Sequence, residues 1–193
     1  MLSSKDLMSL EEYAKRRPNF RAQVMEHKKN RKVHLGEHVT LMFEDALTIQ
    51  YQVQEMLRIE KIFEEDGIRE ELNAYLPLVP DGSNFKATLL IEYPDEDERK
   101  IALSRLVDIE DMVWVRVDGY EKIVPIADED LERETEEKTS SVHFLRFELS
   151  DEMKASALKG SPISVGVDHP NYTFVVEELD VQIRDSLAAD LKA

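Results

Sequence analysis

The sequence predicts an α+β fold, a mainly antiparallel β-sheet packed by helices, with an N-terminal helical arm. Three observations carry this. The strand-like segments are joined mostly by hairpin turns and short helices. One long periodic segment, residues 46–65, is apolar on more than one side, as suits a helix laid between layers. Charge is also segregated. Residues 1–34 carry nine basic and four acidic side chains, a net +5, and the remaining residues sixteen against thirty-seven, a net −21. A single domain over residues 1–193 is expected, with 1–34 a basic helical arm and 35–193 an acidic α+β body.

Taken in order, Ser9 with Glu12 three residues on is a capping box. Leu7, Leu10, Tyr13 and Ala14 form a narrow apolar stripe that Pro18 should end. A second helix is expected from Asn19 to Arg31 on Phe20 and Val24. Residues 33–35 and 39–43 flank Gly36 as a hairpin. The helix over 46–65 should stop at Asp66-Gly67, with Ile68, Leu72, Tyr75 and Leu76 forming a short helix after it. Residues 86–93 read as a strand, and Asp95 with Glu98 caps a helix reaching about Val107. Residues 112–117 and 121–126 flank the turn pair Asp118-Gly119 as a hairpin. The run Asp128 to Glu137, with seven carboxylates and one arginine, reads as a solvated surface segment, with cation binding the minority reading. Residues 141–149 form a strand, Ser150 caps a short helix closed by Gly160, and residues 162–168 pair with 172–179 across His169-Pro170-Asn171. Asp180 caps a last helix.

Composition bounds the chemistry. With 193 residues and 42% apolar side chains, the chain can bury a substantial core. It has no cysteine, which excludes disulfides, thiolate zinc sites, protein-held iron–sulfur clusters and a thiol nucleophile. The start lacks the apolar stretch of a secretory signal and no apolar run approaches membrane-spanning length, so a cytoplasmic protein is expected. Glycines are scattered singly, without a nucleotide loop or a nucleophile elbow. The net charge of −16 argues against nucleic acid as a partner, since only the arm offers a basic footprint. That arm is expected to lie on the acidic body.

A few polar residues fall on apolar faces. At about 100° per residue, Ile49, Val53, Met56, Leu57 and Phe63 share a stripe, with Glu60 near its centre. A carboxylate aimed at the core needs a cation, a metal or a proton, and the plainest answer is an ion pair with Arg116 or Arg146. His143 alternates with Leu145, Phe147 and Leu149, and His169 ends the face of Ile163, Val165 and Val167. Each reads first as a satisfied core histidine. Together with Glu60 they are also the residue types of a two-His, one-carboxylate iron or zinc site. His34 and His38 flank the Gly36 turn but lack a third ligand nearby in sequence.

The stretch FEDALTIQYQVQEMLRIEKIFEEDGIREELNAYLPLVPDG from Phe43 to Gly82, with VHFLRFEL from Val142 and VDHPNY from Val167, resembles a bacterial family named only as a domain of unknown function. The similarity spans nearly the whole chain. Members are often encoded beside rubrerythrin-like proteins and iron–sulfur oxidoreductases, which implies by association a place in peroxide defence or non-haem iron redox metabolism. The resemblance supplies no catalytic residues. Two expectations follow. The favoured one is a non-catalytic accessory or interaction protein that docks a redox-protein partner. The other is a metal-binding protein or metal-dependent enzyme holding Fe or Zn on Glu60, His143 and His169.

Overall fold

The fold is described, from a computed structural model, for residues 2–131, 133, 135 and 137–192. Among these residues, eight strands and six α-helices make an α+β structure with two antiparallel sheets. The chain opens with α1 (Leu10–Lys29), the hairpin β1 (Lys32–Leu35) and β2 (Val39–Glu44), then α2 (Ala46–Glu60) and α3 (Glu65–Tyr75). Next come β3 (Asn84–Ile91), α4 (Glu96–Arg105), β4 (Val113–Val117), β5 (Ile126–Ala127) and β6 (Val142–Glu148). The chain closes with α5 (Asp151–Leu158), β7 (Ile163–His169), β8 (Tyr172–Val176) and α6 (Val181–Ala188). The larger sheet has the order β1-β2-β3-β6-β5 and the smaller β4-β7-β8.

Strand alternation puts one face of each sheet into a shared core. Leu35, Leu41, Phe43, Phe85, Leu89 and Phe147 of the larger sheet pack with Val113, Val115, Ile163 and Val165 of the smaller. Tyr172 ties the sheets together at one end. Its hydroxyl donates to the Leu35 carbonyl (2.6 Å) and accepts from the His38 amide (3.2 Å). The first hairpin turns beneath that hydroxyl at Gly36, whose φ of +79° and lack of room for a Cβ both call for glycine.

The opposite face of the larger sheet is covered only in part. A second, smaller core under α2 gathers Leu2, Ile49, Val53, Leu57 and Leu72. Beside it, between α2–α3 and the outward-facing side chains of β3 and β6, runs a cleft of about 540 Å³. Tyr75, Leu78 and Phe144 also line a smaller adjoining space of about 310 Å³.

Several local expectations change. Pro18 does not end the first helix, which runs unbroken from Leu10 to Lys29. An interior proline forfeits one backbone hydrogen bond. Buried side chains on both sides of it, Tyr13 and Val24, hold the helix on the body across the defect. Residues 46–65 form not one helix but α2, closed by Lys61 in the left-handed region (φ 55°), and the start of α3, which contains Gly67. Residues 121–126 contribute no second strand to β4. Val115 and Ile123 make one isolated bridge, and the chain then joins the other sheet as β5.

The basic arm meets acidic partners. Arg17 makes a two-bonded ion pair with Glu55 (2.7 and 2.8 Å), and the Tyr13 hydroxyl donates to the same carboxylate (2.6 Å). His27 pairs with Asp45 (2.5 Å), and buried Arg31 reaches Asp45 and Asp190. No helix among the described residues is long and apolar enough to cross a membrane.

Candidate functional site

Glu60 does not point at the core. It is the last residue of α2, solvent-exposed, on the lining of the cleft. The stripe is correct at Ile49, Val53 and Leu57. The final turn, Arg58 to Glu60, runs past the packed layer, so the same angular direction there meets water. The buried polar groups on this helix are Thr48 in its first turn and Gln54, whose side-chain amide accepts from the Met8 amide (2.6 Å) and donates to the Met8 carbonyl (3.3 Å). The expected arginines are engaged elsewhere. Arg146 pairs with Glu129 and Glu148, and Arg116 lies near Ser164 and Glu177.

His169 is buried and satisfied locally. Its Nε2 lies 2.9 Å from the Val107 carbonyl and its Nδ1 accepts from the Asn171 amide (3.1 Å), a pattern that fits the neutral Nε2–H tautomer. It fastens the β7–β8 turn to the end of α4. His34 lies against Thr40 and His38 stacks on Tyr93, so these two do not form a site either.

His143 is different. Fully buried on β6, its Nδ1 faces Asp128 Oδ2 at 2.6 Å and Glu110 Oε1 at 3.6 Å. On the other side of the ring, Nε2 lies 3.0 Å from the Ser140 carbonyl and 2.9 Å from the Thr139 hydroxyl. That hydroxyl donates in turn to Glu110 Oε2 (3.3 Å). Among the described residues, Glu110, Asp128 and His143 are the one group of three potential metal ligands, with all ligand atoms within 4.8 Å of one another. Glu60 and His169 are not members of it.

Three unrelated pieces of chain build this cluster. Glu110 lies in the short 3-10 helix that leads into β4. Asp128 directly follows β5, at a left-handed backbone position (φ 47°) that turns the chain off the sheet edge. Its Oδ1 accepts from the Phe144 amide (2.9 Å), so the carboxylate is fixed at both oxygens. Arg133 bonds Asp128 Oδ1 (3.3 Å) and Asp130 (2.5 Å), and its guanidinium lies 4.6 Å from the centre of the Phe144 ring. Asp128 therefore leaves the solvated acidic run to bond a core histidine. Glu132, Glu134 and Glu136 of that run lie outside the described residues.

The family model for DUF3501, described as "Protein of unknown function (DUF3501)", matches residues 1–191. The chain belongs to that family. Among solved structures, it is similar to a novel protein of unknown function from Burkholderia pseudomallei, with 57% identity, 99% of each chain covered and a TM-score of 0.94. No curated protein matches.

Proposed function

We propose that this DUF3501 chain is a divalent-metal-binding accessory protein, with Glu110, Asp128 and His143 as ligands. One observation carries the reading: a buried imidazole whose Nδ1 faces two carboxylates while its Nε2 faces a backbone carbonyl. A metal-ligating histidine is commonly oriented by just such a hydrogen bond from its other nitrogen. Here the Ser140 carbonyl would hold the Nε2–H, leaving the Nδ1 lone pair for the ion. Imidazole and carboxylate oxygen together suit zinc or iron(II). The three residues would bind and orient the ion, and capture would release the Nδ1 proton. The family resemblance, with its non-haem iron setting, makes iron the first ion to test and a redox protein the partner to seek.

A specific feature also favours a second reading, a purely structural network. At 2.6 Å the Nδ1–Asp128 contact is a good hydrogen bond as it stands, and an imidazolium would satisfy both of its nitrogens. Elemental analysis of protein purified without a histidine tag, followed by anaerobic Fe(II) and Zn(II) titration, separates the two. The metal reading expects about one equivalent bound, lowered at least about tenfold in Asp128→Asn. Absence of binding, or equal binding by Asp128→Asn, leaves the structural network.

A further inference from the structure

The cleft between α2–α3 and the outer face of the larger sheet holds a lysine without a direct partner among the described residues. Lys86 on β3 projects to that face and lines the cleft, half-buried. It makes no hydrogen bond or ion pair with any of the described residues. The neighbouring cations are already matched: Arg146 by Glu129 and Glu148, Arg133 by Asp130 and Asp128. Burial, and behind it the charge of Arg146, holds the Lys86 amine below the usual lysine range, against the opposing pull of the Glu129, Glu148 and Asp81 carboxylates. A half-buried ammonium without a hydrogen-bond acceptor among the described residues is costly, and a carboxylate placed against it would relieve that cost.

The walls specify what accompanies the anion. Met56, Tyr75, Leu78 and Phe144 give a largely apolar lining, and the volume lies within the range of small-molecule sites. Two methionines, Met56 here and Met42 in the adjoining space, can adapt to an irregular ligand. The charge count limits the headgroup. Lys86 is the one lining cation without an ion pair among the described residues, and the lining as a whole carries four carboxylates against three cations, Glu129 and Asp130 among them. On the helical side lie Glu60 and Glu71, the latter pushed up by burial and by its neighbour Glu60. A second negative charge would meet these carboxylates.

We propose that this cleft binds an amphipathic monocarboxylate, its apolar body between Tyr75 and Phe144 and its carboxylate against the Lys86 ammonium. The site is separate from the buried His143 cluster and does not depend on a metal there. His143 and Phe144 are successive residues of β6, one on the core face and one on the cleft face.

Decanoate, used below its micellar concentration, is the probe, with 1-decanol and decyl phosphate as headgroup controls. Binding is followed by titration calorimetry and by the methionine methyl NMR spectrum. Decanoate should bind the wild-type protein and shift the Met56 methyl resonance. Lys86→Met should weaken decanoate binding about tenfold or more, the usual weight of a charge-assisted hydrogen bond, and leave decanol unchanged. Decyl phosphate should bind more weakly than decanoate. Lys86→Arg should keep most of the affinity. Without ligand, Lys86→Met should unfold at an equal or higher urea concentration than the wild type, because it removes a half-buried charge that no described residue pairs directly. Failure of decanoate to bind, equal decanoate binding by wild type and Lys86→Met, tighter binding of decyl phosphate, or a lower urea midpoint for Lys86→Met would each overturn the assignment.

Discussion

Replacing Arg31 by methionine tests how the arm is held to the body. Arg31 is the largest fully buried side chain, 1% exposed, and its guanidinium is surrounded by acceptors. Nε donates to the Phe43 carbonyl (2.9 Å), Nη2 to the Glu44 carbonyl (3.0 Å) and Nη1 to the Ser186 carbonyl (3.0 Å). Asp190 bonds it directly, and Asp45 lies 3.5 Å away. Methionine fills similar space but leaves three carbonyls unpaired and two carboxylates without their shared cation. Breaking a buried pair from one side costs about 3–5 kcal/mol. With a urea slope of about 2 kcal/mol/M, the midpoint at pH 8 should fall by about 1.5–2.5 M.

The same site predicts a pH dependence. Burial raises the Asp190 carboxyl from an ordinary value of 3.8 to about 6, with Arg31 pulling against it and Asp45 adding to the rise. The folded carboxyl therefore keeps its proton to higher pH than the unfolded one. The stability this provides is complete below 3.8 and is lost as pH rises through about 6. Without Arg31 the proton should stay on to still higher pH, so the variant's deficit should be at least about 1 kcal/mol smaller at pH 5.5 than at pH 8. Asp190→Asn added to Arg31→Met should recover part of the loss at pH 8. A deficit under about 1 kcal/mol, or one independent of pH, would refute this account of the junction.

Two further perturbations probe other parts of the fold. In Gly166→Ala the new Cβ would fall 2.3 Å from Cζ2 of Trp114, the one tryptophan, which lies beneath the Lys122 ammonium (4.1 Å from the ring centre). A loss of about 1–3 kcal/mol and a red-shifted emission are expected, and unchanged fluorescence and stability would contradict that packing. Glu55 is held at about 2, chiefly by its hydrogen bonds from Arg17, against burial and with help from Tyr13. Its contribution is present above an ordinary value of 4.5 and is lost as pH falls towards 2. A double-mutant cycle of Arg17→Met and Glu55→Gln should give a favourable coupling at pH 7 that fades across that window, and a pH-independent coupling would exclude the ion pair as its source.

Strand alternation placed His143 and His169 correctly on buried faces, because the two-residue period holds wherever one face of a sheet is covered. The helical wheel failed at Glu60 for a different reason. A period gives direction but not how far along the axis the packed layer extends, and α2 outruns its cover by one turn. The Gly36 hairpin was legible from local turn chemistry, whereas the Asp118-Gly119 hairpin was not kept. There the second segment found a better partner in β6 than in β4, and pairing with a distant strand leaves little trace in the turn itself.

By itself the sequence determined the α+β class, the hairpins at Gly36 and at 169–171, the caps of α1, α4 and α5, the exclusion of thiolate chemistry, and a basic arm suited to an acidic body. These follow from local periodicity, capping chemistry and composition, all of which act over a few residues or none. Only the tertiary structure decided that His143 meets Glu110 and Asp128, 33 and 15 positions away, and that Lys86 lines a cleft without a direct partner among the described residues. Glu110 and Asp128 were two carboxylates among 41 acidic residues, with nothing in their neighbours to set them apart. Their meeting depends on the left-handed turn at Asp128 and on the order β3-β6-β5, which bring remote segments to one end of the core. The same holds for Lys86: whether a lysine has a partner depends on which remote groups the fold sets beside it.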